Sequence, residues 1–172
     1  MKLSMNFVFF FFTLFLRAFG ANSTNYLGST PAQRHVINLT QAQAIITAAM
    51  AQAVITGSPS NIAICDPSGY LVAFAKMDNA FLGSTDISIK KAKTVSLFNG
   101  AYTTADLMDL VQPGALFYGI EETNGVLVVF GGGVPVYVNG YFIGSVGVSG
   151  GTADQDATVA TAGAKAIGTL SL

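Results

Sequence analysis

Three residues of this sequence have side chains that could carry out acid–base chemistry on a small molecule. Asp78 opens a loop after an apolar run, Lys91 lies among three lysines of a helical segment, and Tyr118 lies in an irregular stretch. A carboxylate in an apolar cleft can act as a general base, while an ammonium or phenol group stabilises the oxyanion that develops. One hypothesis is therefore a cofactor-independent enzyme, an isomerase, cyclase or hydro-lyase, that acts on a small apolar metabolite.

A second group of residues could line an apolar ligand pocket. Gly131-Gly132-Gly133 permits a close approach of the backbone, either to a ligand or to a neighbouring segment. Phe117 and Tyr118 could border that pocket or form a lid over the core. The expected ligand-binding residues are Met77, Tyr102, Phe117, Gly131, Gly132, Gly133 and Pro135.

The only histidine, His35, follows Arg34 in a polar N-terminal segment. It is either a solvated residue of that segment or a metal ligand that an assembly brings over a pocket. One histidine and one cysteine cannot form a zinc cluster, and a Ser-His-Asp triad would need His35. The triple glycine lies between apolar runs and does not open a helix, so it is not a phosphate or dinucleotide loop.

Charge is scarce throughout the chain of 172 residues. It is 51% hydrophobic and 10% charged, with a formal net charge of −1, whereas about a quarter of the residues of a typical soluble domain are charged. Eight Lys and Arg residues cannot form a basic stripe, which excludes a nucleic-acid partner. The apolar excess predicts surfaces that are covered by sister subunits or by an apolar ligand.

Residues 1–20 have the composition of a secretory signal peptide. Lys2 precedes an apolar run of about ten residues, and a small-x-small end, Ala18-Phe19-Gly20, follows it. The run is shorter than the roughly 20 residues that a membrane span needs, which disfavours a retained anchor. Two sequons predict N-glycosylation at Asn22 and Asn38. The expectation is a secreted glycoprotein with no membrane association after cleavage of the signal peptide. Its single cysteine, Cys65, excludes an intramolecular disulfide.

The helical segments follow from capping signals and periodicity. Residues 21–38 are polar and aperiodic, which predicts a flexible or loosely docked arm. Thr40 and Gln43 have capping-box form, and the helix that they open ends near Gly57. Further helices are expected after Ser84, Thr85 or Asp86, after Thr103, and after the capping box Thr152–Gln155. The last of these helices is apolar on all sides, so we expect it to pack against another subunit.

The strands follow from β-rich runs that turn signals separate. Ile62–Cys65 and Tyr70–Met77 flank a four-residue turn and predict a hairpin. Three further runs follow: Val126–Phe130, Val134–Val138 and Tyr141–Val148. Asn139-Gly140 between the last two predicts a type I′ turn. Pro135 belongs at the start of a strand or at a sheet edge, because it lacks an amide proton.

Several of these motifs resemble one family. They are Met77-Asp78-Asn79-Ala80, Lys91-Ala92-Lys93-Thr94, Gly132-Gly133-Val134-Pro135-Val136, Ile143–Gly151 and Gln155-Asp156. The pattern, over about residues 39–172, resembles the haem-degrading or haem-binding HbpS-like and GlcG-like proteins, which are also similar to the C-terminal domain of PduO-type cobalamin adenosyltransferases.

The resemblance implies an α+β fold: a profilin-like α-β-α sandwich with a five-stranded antiparallel sheet and helices on both sides. It also implies a homo-oligomer, from dimer to octamer, and a haem or corrinoid ligand. Many relatives carry an acidic residue where this chain has Gly131, so the pocket expected here is more apolar.

Three functional hypotheses remain open. The first is a secreted protein that binds haem or a related tetrapyrrole, with lysines at the propionates and slow haem-degrading activity. Its candidate iron ligands are His35, Met77, Tyr102 and Tyr118. The second is the cofactor-independent enzyme, with Asp78, Lys91 and Tyr118 as catalytic residues. The third is a non-catalytic module whose apolar faces are covered by self-association.

Overall fold

The computed structural model describes residues 23–125 and 127–172. Its sheet has four antiparallel strands in the order β2-β1-β4-β3. They are β1 (Asn61–Cys65), β2 (Leu71–Lys76), β3 (Gly133–Val138) and β4 (Tyr141–Ser149). The predicted signal peptide and the sequon at Asn22 lie outside the described residues.

Helices cover both faces of the sheet, as in the expected α-β-α sandwich. Helices α1 (Leu39–Thr56) and α4 (Ala153–Lys165) pack side by side on one face, and α2 (Ser84–Leu97) packs on the other. A short α3 (Thr104–Leu110) lies beside β3. Side chains alternate along β1 accordingly: Ile62 and Ile64 join the core under α1 and α4, whereas Cys65 faces α2.

The described residues form four strands, and the described part of the expected fifth run, Val126–Phe130, does not join the sheet. The described residues of that run, Leu127–Phe130, are outside any strand. The amide of Val128 donates a hydrogen bond to the Thr94 hydroxyl of α2 at 2.9 Å, so a helix takes the donor that a strand neighbour would need. An apolar run predicts burial, but burial under a helix needs no strand pairing.

Local signals at turns and caps are mostly confirmed. Asn139 and Gly140 have φ angles of 52° and 79°, the positive values that a type I′ turn requires. The capping box Thr152–Gln155 opens α4 as predicted. Two details differ: Asn38 and Gln41 form the capping box of α1, two residues before the predicted one, and the N-cap of α2 is Gly83, which has no side chain to bond the helix amides.

The described part of the N-terminal arm docks on the first half of β4. The amide of Ile37 donates to the Ile143 carbonyl at 2.8 Å, and the amide of Phe142 donates to the Leu27 carbonyl at 3.1 Å. Because β1 pairs with β4 only from Ser145 onwards, the arm occupies a part of β4 that β1 leaves open. Ile37 is consequently buried in the core.

Helix α1 alone among the described helices is long and apolar enough to cross a membrane, with a mean hydropathy of 1.2. Its inner face lies in the core, where Ala42, Ile45, Ala49 and Ala53 are buried. Small residues let α4 approach closely, since a Cβ on Gly163 would lie 3.1 Å from the Ile45 carbonyl oxygen.

Candidate functional site

A buried ion pair joins the two helical layers at one end of the sheet. The ammonium group of Lys91, in the middle of α2, lies 2.8 Å from Oδ2 of Asp156, in the first turns of α4. Lys91 also donates to the Val148 carbonyl at 3.0 Å, and Oδ1 of Asp156 accepts from the Gly151 amide at 2.8 Å. Both side chains are almost completely inaccessible to solvent, at 0% and 3% exposure.

The electrostatics of the pair favour a structural role. Burial lowers the pKa of Lys91 below its ordinary 10.5, and the hydrogen bond and charge of Asp156 oppose that effect. The remaining side of the ammonium faces the Phe130 ring, whose centroid is 4.4 Å away. Every neighbour of the ammonium is thus already part of the fold, and a substrate would have to displace one of them.

The glycine turn is filled by protein. A Cβ on Gly131 would lie 2.8 Å from the Ala153 carbonyl oxygen, and one on Gly132 would lie 2.7 Å from Nζ of Lys91. The Gly133 amide donates to the Thr104 hydroxyl at 2.7 Å. Of the two explanations for the triple glycine, close approach to a neighbouring segment therefore applies here, and the buried Pro135 continues this segment along the edge strand β3.

The three residues considered for acid–base catalysis are not brought together. Asp78 is exposed in the loop after β2, and Tyr118 is 67% exposed in the stretch after α3. Among the described residues, Lys91 forms its ion pair with Asp156 and none with Asp78. The catalytic roles of Asp78, Lys91 and Tyr118 stay predictions that no contact in the structure supports.

The expected pocket residues Met77, Tyr102 and Phe117 are engaged in local packing. The Tyr102 ring contacts Phe98 and Phe117 edge-to-face, with centroids 5.8 Å and 6.5 Å apart. The sulfur of Met77 accepts from the Ser60 amide at 3.5 Å. The two ring contacts connect the segment after α3 to the end of α2, and the ligand-binding role of Met77, Tyr102 and Phe117 stays a prediction.

A hollow of about 550 Å³ lies at the opposite end of the β3–β4 hairpin from the ion pair. It is lined by Tyr137, Val138, Asn139, Gly140, Ile167, Gly168, Thr169, Ser171 and Leu172. The Tyr137 hydroxyl donates to the Asn99 carbonyl at 3.3 Å, and burial raises the pKa of Tyr137 to about 12. The wall of the hollow is therefore part apolar, from Val138, Ile167 and Leu172, and part polar, from Asn139, Thr169 and Ser171.

His35 packs against the β3–β4 hairpin. Its ring stacks on Tyr141 with centroids 3.8 Å apart and an interplanar angle of 17°. Tyr141 is the cross-strand partner of Val138, which lines the hollow. Arg34 beside it donates to the Ser29 carbonyl at 3.1 Å. Within the described parts of the chain, no group of three or more His, Cys, Asp or Glu residues could hold a metal ion, so His35 would act as a single ligand.

Sequence reasoning found Lys91 but missed its partner. Asp156 belongs to the Gln155-Asp156 family motif, and the 65 residues between it and Lys91 leave no spacing signal. The one available hint is an acidic residue at the start of an otherwise apolar helix, in a chain that has few cations to pair with it.

Asn38 is the N-cap of α1: its Oδ1 accepts from the Gln41 amide at 2.9 Å, which leaves the side-chain nitrogen on the exposed side.

Comparisons with known proteins agree with this fold. A model of the family described as haem degrading protein HbpS-like matches residues 37–165. The chain is 42% identical over 125 residues to a 15.0 kDa protein of the dhaT-dhaS intergenic region of Citrobacter freundii, which covers 72% of this chain and 87% of that protein.

Two solved structures are similar over most of the chain. One is a PduOC:heme complex, with a TM-score of 0.75 and 32% identity over 80% of this chain and 99% of that one. The other is a double mutant of HbpS from Streptomyces reticuli, with a TM-score of 0.71 and 26% identity over 79% and 90% of the two chains. Because the family model spans three quarters of the sequence and the fold agrees, this chain belongs to the HbpS-like family.

Proposed function

We propose that this protein binds haem or a related tetrapyrrole. The observation that carries the proposal is the similarity to the PduOC:heme complex, which extends over 99% of that chain at 32% identity. The description of the matching family as haem degrading supports the same ligand class.

The residues at the hollow supply part of what such a group needs. A tetrapyrrole needs apolar walls for its macrocycle and a nitrogen, sulfur or oxygen donor for its metal. The hollow of about 550 Å³ falls within the range of about 300–1,000 Å³ that is usual for cofactor sites. Val138, Ile167 and Leu172 supply apolar surface, and Asn139, Thr169 and Ser171 make the rest of the wall polar. The imidazole of His35 is exposed but lies outside this lining, stacked on Tyr141. When bound, iron in such a group would supply a coordination position for that imidazole.

The cation available to bind the propionates of the tetrapyrrole is not one of the lysines that the sequence predicts for this role. Lys91 is bonded to Asp156 inside the protein, and Lys90 pairs with Asp86 at 2.8 Å on the surface. Arg34 adjoins His35, is exposed, and uses only one of its five N–H donors on Ser29. Arg34 is therefore our choice for a carboxylate contact.

Titration with hemin tests the proposal. Addition of hemin to the purified full-length protein should shift the Soret band from its free-hemin position and saturate at a fixed molar ratio. Size-exclusion chromatography should carry the chromophore with the protein peak. Serum albumin and lysozyme serve as binding and non-binding controls. Free-hemin behaviour throughout the titration would exclude this function.

We also propose that the protein slowly degrades the bound tetrapyrrole. It needs dioxygen and an external reductant, since the described residues include only one buried thiol, Cys65. The test follows the Soret band of the loaded protein under air with ascorbate and catalase. Loss of the band faster than in a hemin–albumin control supports degradation, and an equal rate limits the function to binding.

Export is proposed together with this function. The composition of residues 1–20 and the exposed sequon at Asn38 support it. Because Oδ1 of Asn38 makes the capping bond, a glycan on the side-chain nitrogen would leave that bond intact. Expression in a eukaryotic secretory host should give protein in the medium whose mass falls on glycosidase treatment. Retention of the protein in the cell lysate would contradict export.

We also propose that the protein self-associates through α1. The helix has no charged residue, and Val54 and Ile55 are 71% and 78% exposed. An uncharged apolar face meets its own copy without charge repulsion, as in a two-fold symmetric contact. Multi-angle light scattering should give an oligomer for the native protein and a smaller species for Val54→Lys. Gln43→Lys, which adds the same charge to a polar position of α1, is the control; a monomeric native protein would refute the contact.

A further inference from the structure

The two edges of the sheet differ in how far the rest of the chain covers them. Edge strand β3 is buried at five of its six residues, whereas none of the six residues of the other edge strand, β2, is buried. Beyond β3, Tyr137 and Thr169 exchange two backbone hydrogen bonds of 2.9 Å, and Pro135 has no amide proton to offer. Within the described part of the chain, β3 is thus a covered edge and β2 an open one.

The pairing of β2 with β1 shows which of its backbone groups point outward. The Met77 amide, just after β2, donates to the Ser60 carbonyl, just before β1. Alternate residues of a paired strand direct their amides and carbonyls to opposite sides. Those of Phe74 and Lys76 therefore point away from β1, and no described residue bonds them.

The side chains of β2 are apolar along most of the strand. Its sequence is Leu-Val-Ala-Phe-Ala-Lys, and at its start Tyr70 and Leu71 are 74% and 48% exposed. Phe74 is only partly buried at the margin of the smaller core cluster, because α2 packs over β1, β3 and β4. The apolar surface thus extends beyond what the helices of one chain cover.

Few of the devices that keep edge strands apart are present on β2. Such devices are charges, prolines and β-bulges. Lys76 is the one charged residue of β2 and lies at its end, and the extra residue of its β-bulge, Val72, lies near its start. The stretch between them, residues 73–75, is regular, apolar and free of proline.

A second copy of β2 matches this edge about a two-fold axis at Phe74. In that antiparallel register Phe74 exchanges both of its outward hydrogen bonds with the Phe74 of the copy. Lys76 lies opposite Val72, which leaves the two lysines four residues, about 13 Å, apart along the strands. That separation exceeds the Debye length of about 8 Å at physiological ionic strength. An axis at Ala75 would bring the lysines within two residues, about 7 Å, so the charge pattern selects the axis at Phe74.

We infer that β2 is a contact between two copies of this chain, in which four strands from each copy join into one continuous sheet about an axis at Phe74. The surface is its own partner, as a two-fold contact requires. The inference rests on the proposed self-association and adds a second surface to it, since α1 lies on a face of the sheet and β2 lies at its edge.

Charge substitutions at the axis test this contact. Phe74→Lys and Phe74→Glu each place like charges directly opposite each other, so each should halve the mass that multi-angle light scattering gives for the native assembly. A mixture of the two variants with different affinity tags should pair and co-purify, because opposite charges then meet across the axis. Leu116→Lys adds the same charge at an 82% exposed leucine outside β2 and should leave the mass unchanged. Circular dichroism and thermal unfolding check that each variant is folded.

Amide hydrogen exchange, followed by NMR on the native protein, tests the contact without a substitution. The amides of Phe74 and Lys76 should exchange at least about tenfold faster after dilution from the assembled to the dissociated protein. The Met77 amide, bonded to Ser60 within the chain, is the internal control and should be protected in both states.

The outcomes separate the edge contact from the α1 contact. If the assembled protein exchanges both amides fast, and Val54→Lys dissociates it while Phe74→Lys does not, the edge contact is wrong and the α1 contact stands. Slow exchange of both amides in the dissociated protein would mean that another segment of the chain covers the edge, which also overturns the inference. A native protein that is monomeric at every concentration refutes the proposed self-association itself.

Discussion

Replacement of Lys91 by methionine should lower the free energy of unfolding by about 3–5 kcal/mol, the usual effect of breaking a buried ion pair from one side. Methionine fills most of the volume of the lysine stem but supplies no charge. Asp156, 2% exposed, would keep only the Gly151 amide as a hydrogen-bond donor among the described residues. The free carboxylate would then be buried without a counter-charge.

The double variant Lys91→Met with Asp156→Asn distinguishes an unpaired charge from lost packing. It removes both charges, and the asparagine oxygen can still accept from the Gly151 amide. The remaining loss is the hydrogen bond to the Val148 carbonyl, about 1–3 kcal/mol for a buried group left unsatisfied. We therefore expect the double variant to be more stable than Lys91→Met alone.

Equilibrium urea unfolding, followed by far-UV circular dichroism and tyrosine fluorescence, measures these differences. In thermal unfolding the same loss corresponds to a lower midpoint by roughly 6–20 °C for a chain of this size. Lys90→Met is the matched control, since it breaks the exposed pair with Asp86 and should change stability by about 0.5 kcal/mol or less. A Lys91→Met variant no less stable than Lys90→Met would refute the argument from burial. A double variant less stable than Lys91→Met alone would refute it as well.

Two further predictions concern packing and a buried thiol. Gly147→Ala should destabilise by about 1–3 kcal/mol or prevent folding, because its Cβ would overlap the Ser88 carbonyl of α2; Gly83→Ala, with open space around it, should be nearly neutral in the same urea assay. Burial raises the pKa of Cys65 from 9.0 to about 12, so the native thiol should resist an aromatic disulfide reagent at pH 8 and react after unfolding. Between those values the folded state keeps a proton that the unfolded chain loses. The free energy of unfolding of the native protein should therefore fall as pH rises from 9 to 12, and that of Cys65→Ala should fall less steeply. Equal slopes for the two proteins would contradict the raised pKa of Cys65.

Features that depend on a few neighbouring residues could be predicted from the sequence. The turn at Asn139-Gly140 needs two residues that tolerate positive φ, and the box Thr152–Gln155 needs two side chains that reach adjacent amides. Pro135 was expected at a sheet edge for want of an amide proton, and β3 is an edge strand. The family motifs then supplied the arrangement of the layers, which local chemistry alone does not specify.

Features that depend on long-range contacts could not be predicted in the same way. The partner of Lys91 lies 65 residues away, and it meets the lysine only because α2 and α4 flank the same end of β4. Likewise, Val128 has a strand-like neighbourhood in the sequence, yet its amide is bonded to Thr94 of a helix. In both cases the tertiary structure decides between partners that local patterns leave equivalent.

Strand β4 connects the buried ion pair and the His35–Tyr141 stack and keeps them apart. Tyr141 at its start carries the stacked His35, and Val148 near its end accepts from Lys91. Seven residues of extended strand separate them by about 24 Å, well beyond the distance at which substitutions usually couple. Lys91→Met should therefore lower stability without disturbing the His35–Tyr141 stack, and His35→Ala should lower stability by only about 0.5–1.5 kcal/mol, the contribution of a stacked aromatic pair. Since the two effects arise at opposite ends of one rigid element, the variant that combines them should show both changes undiminished.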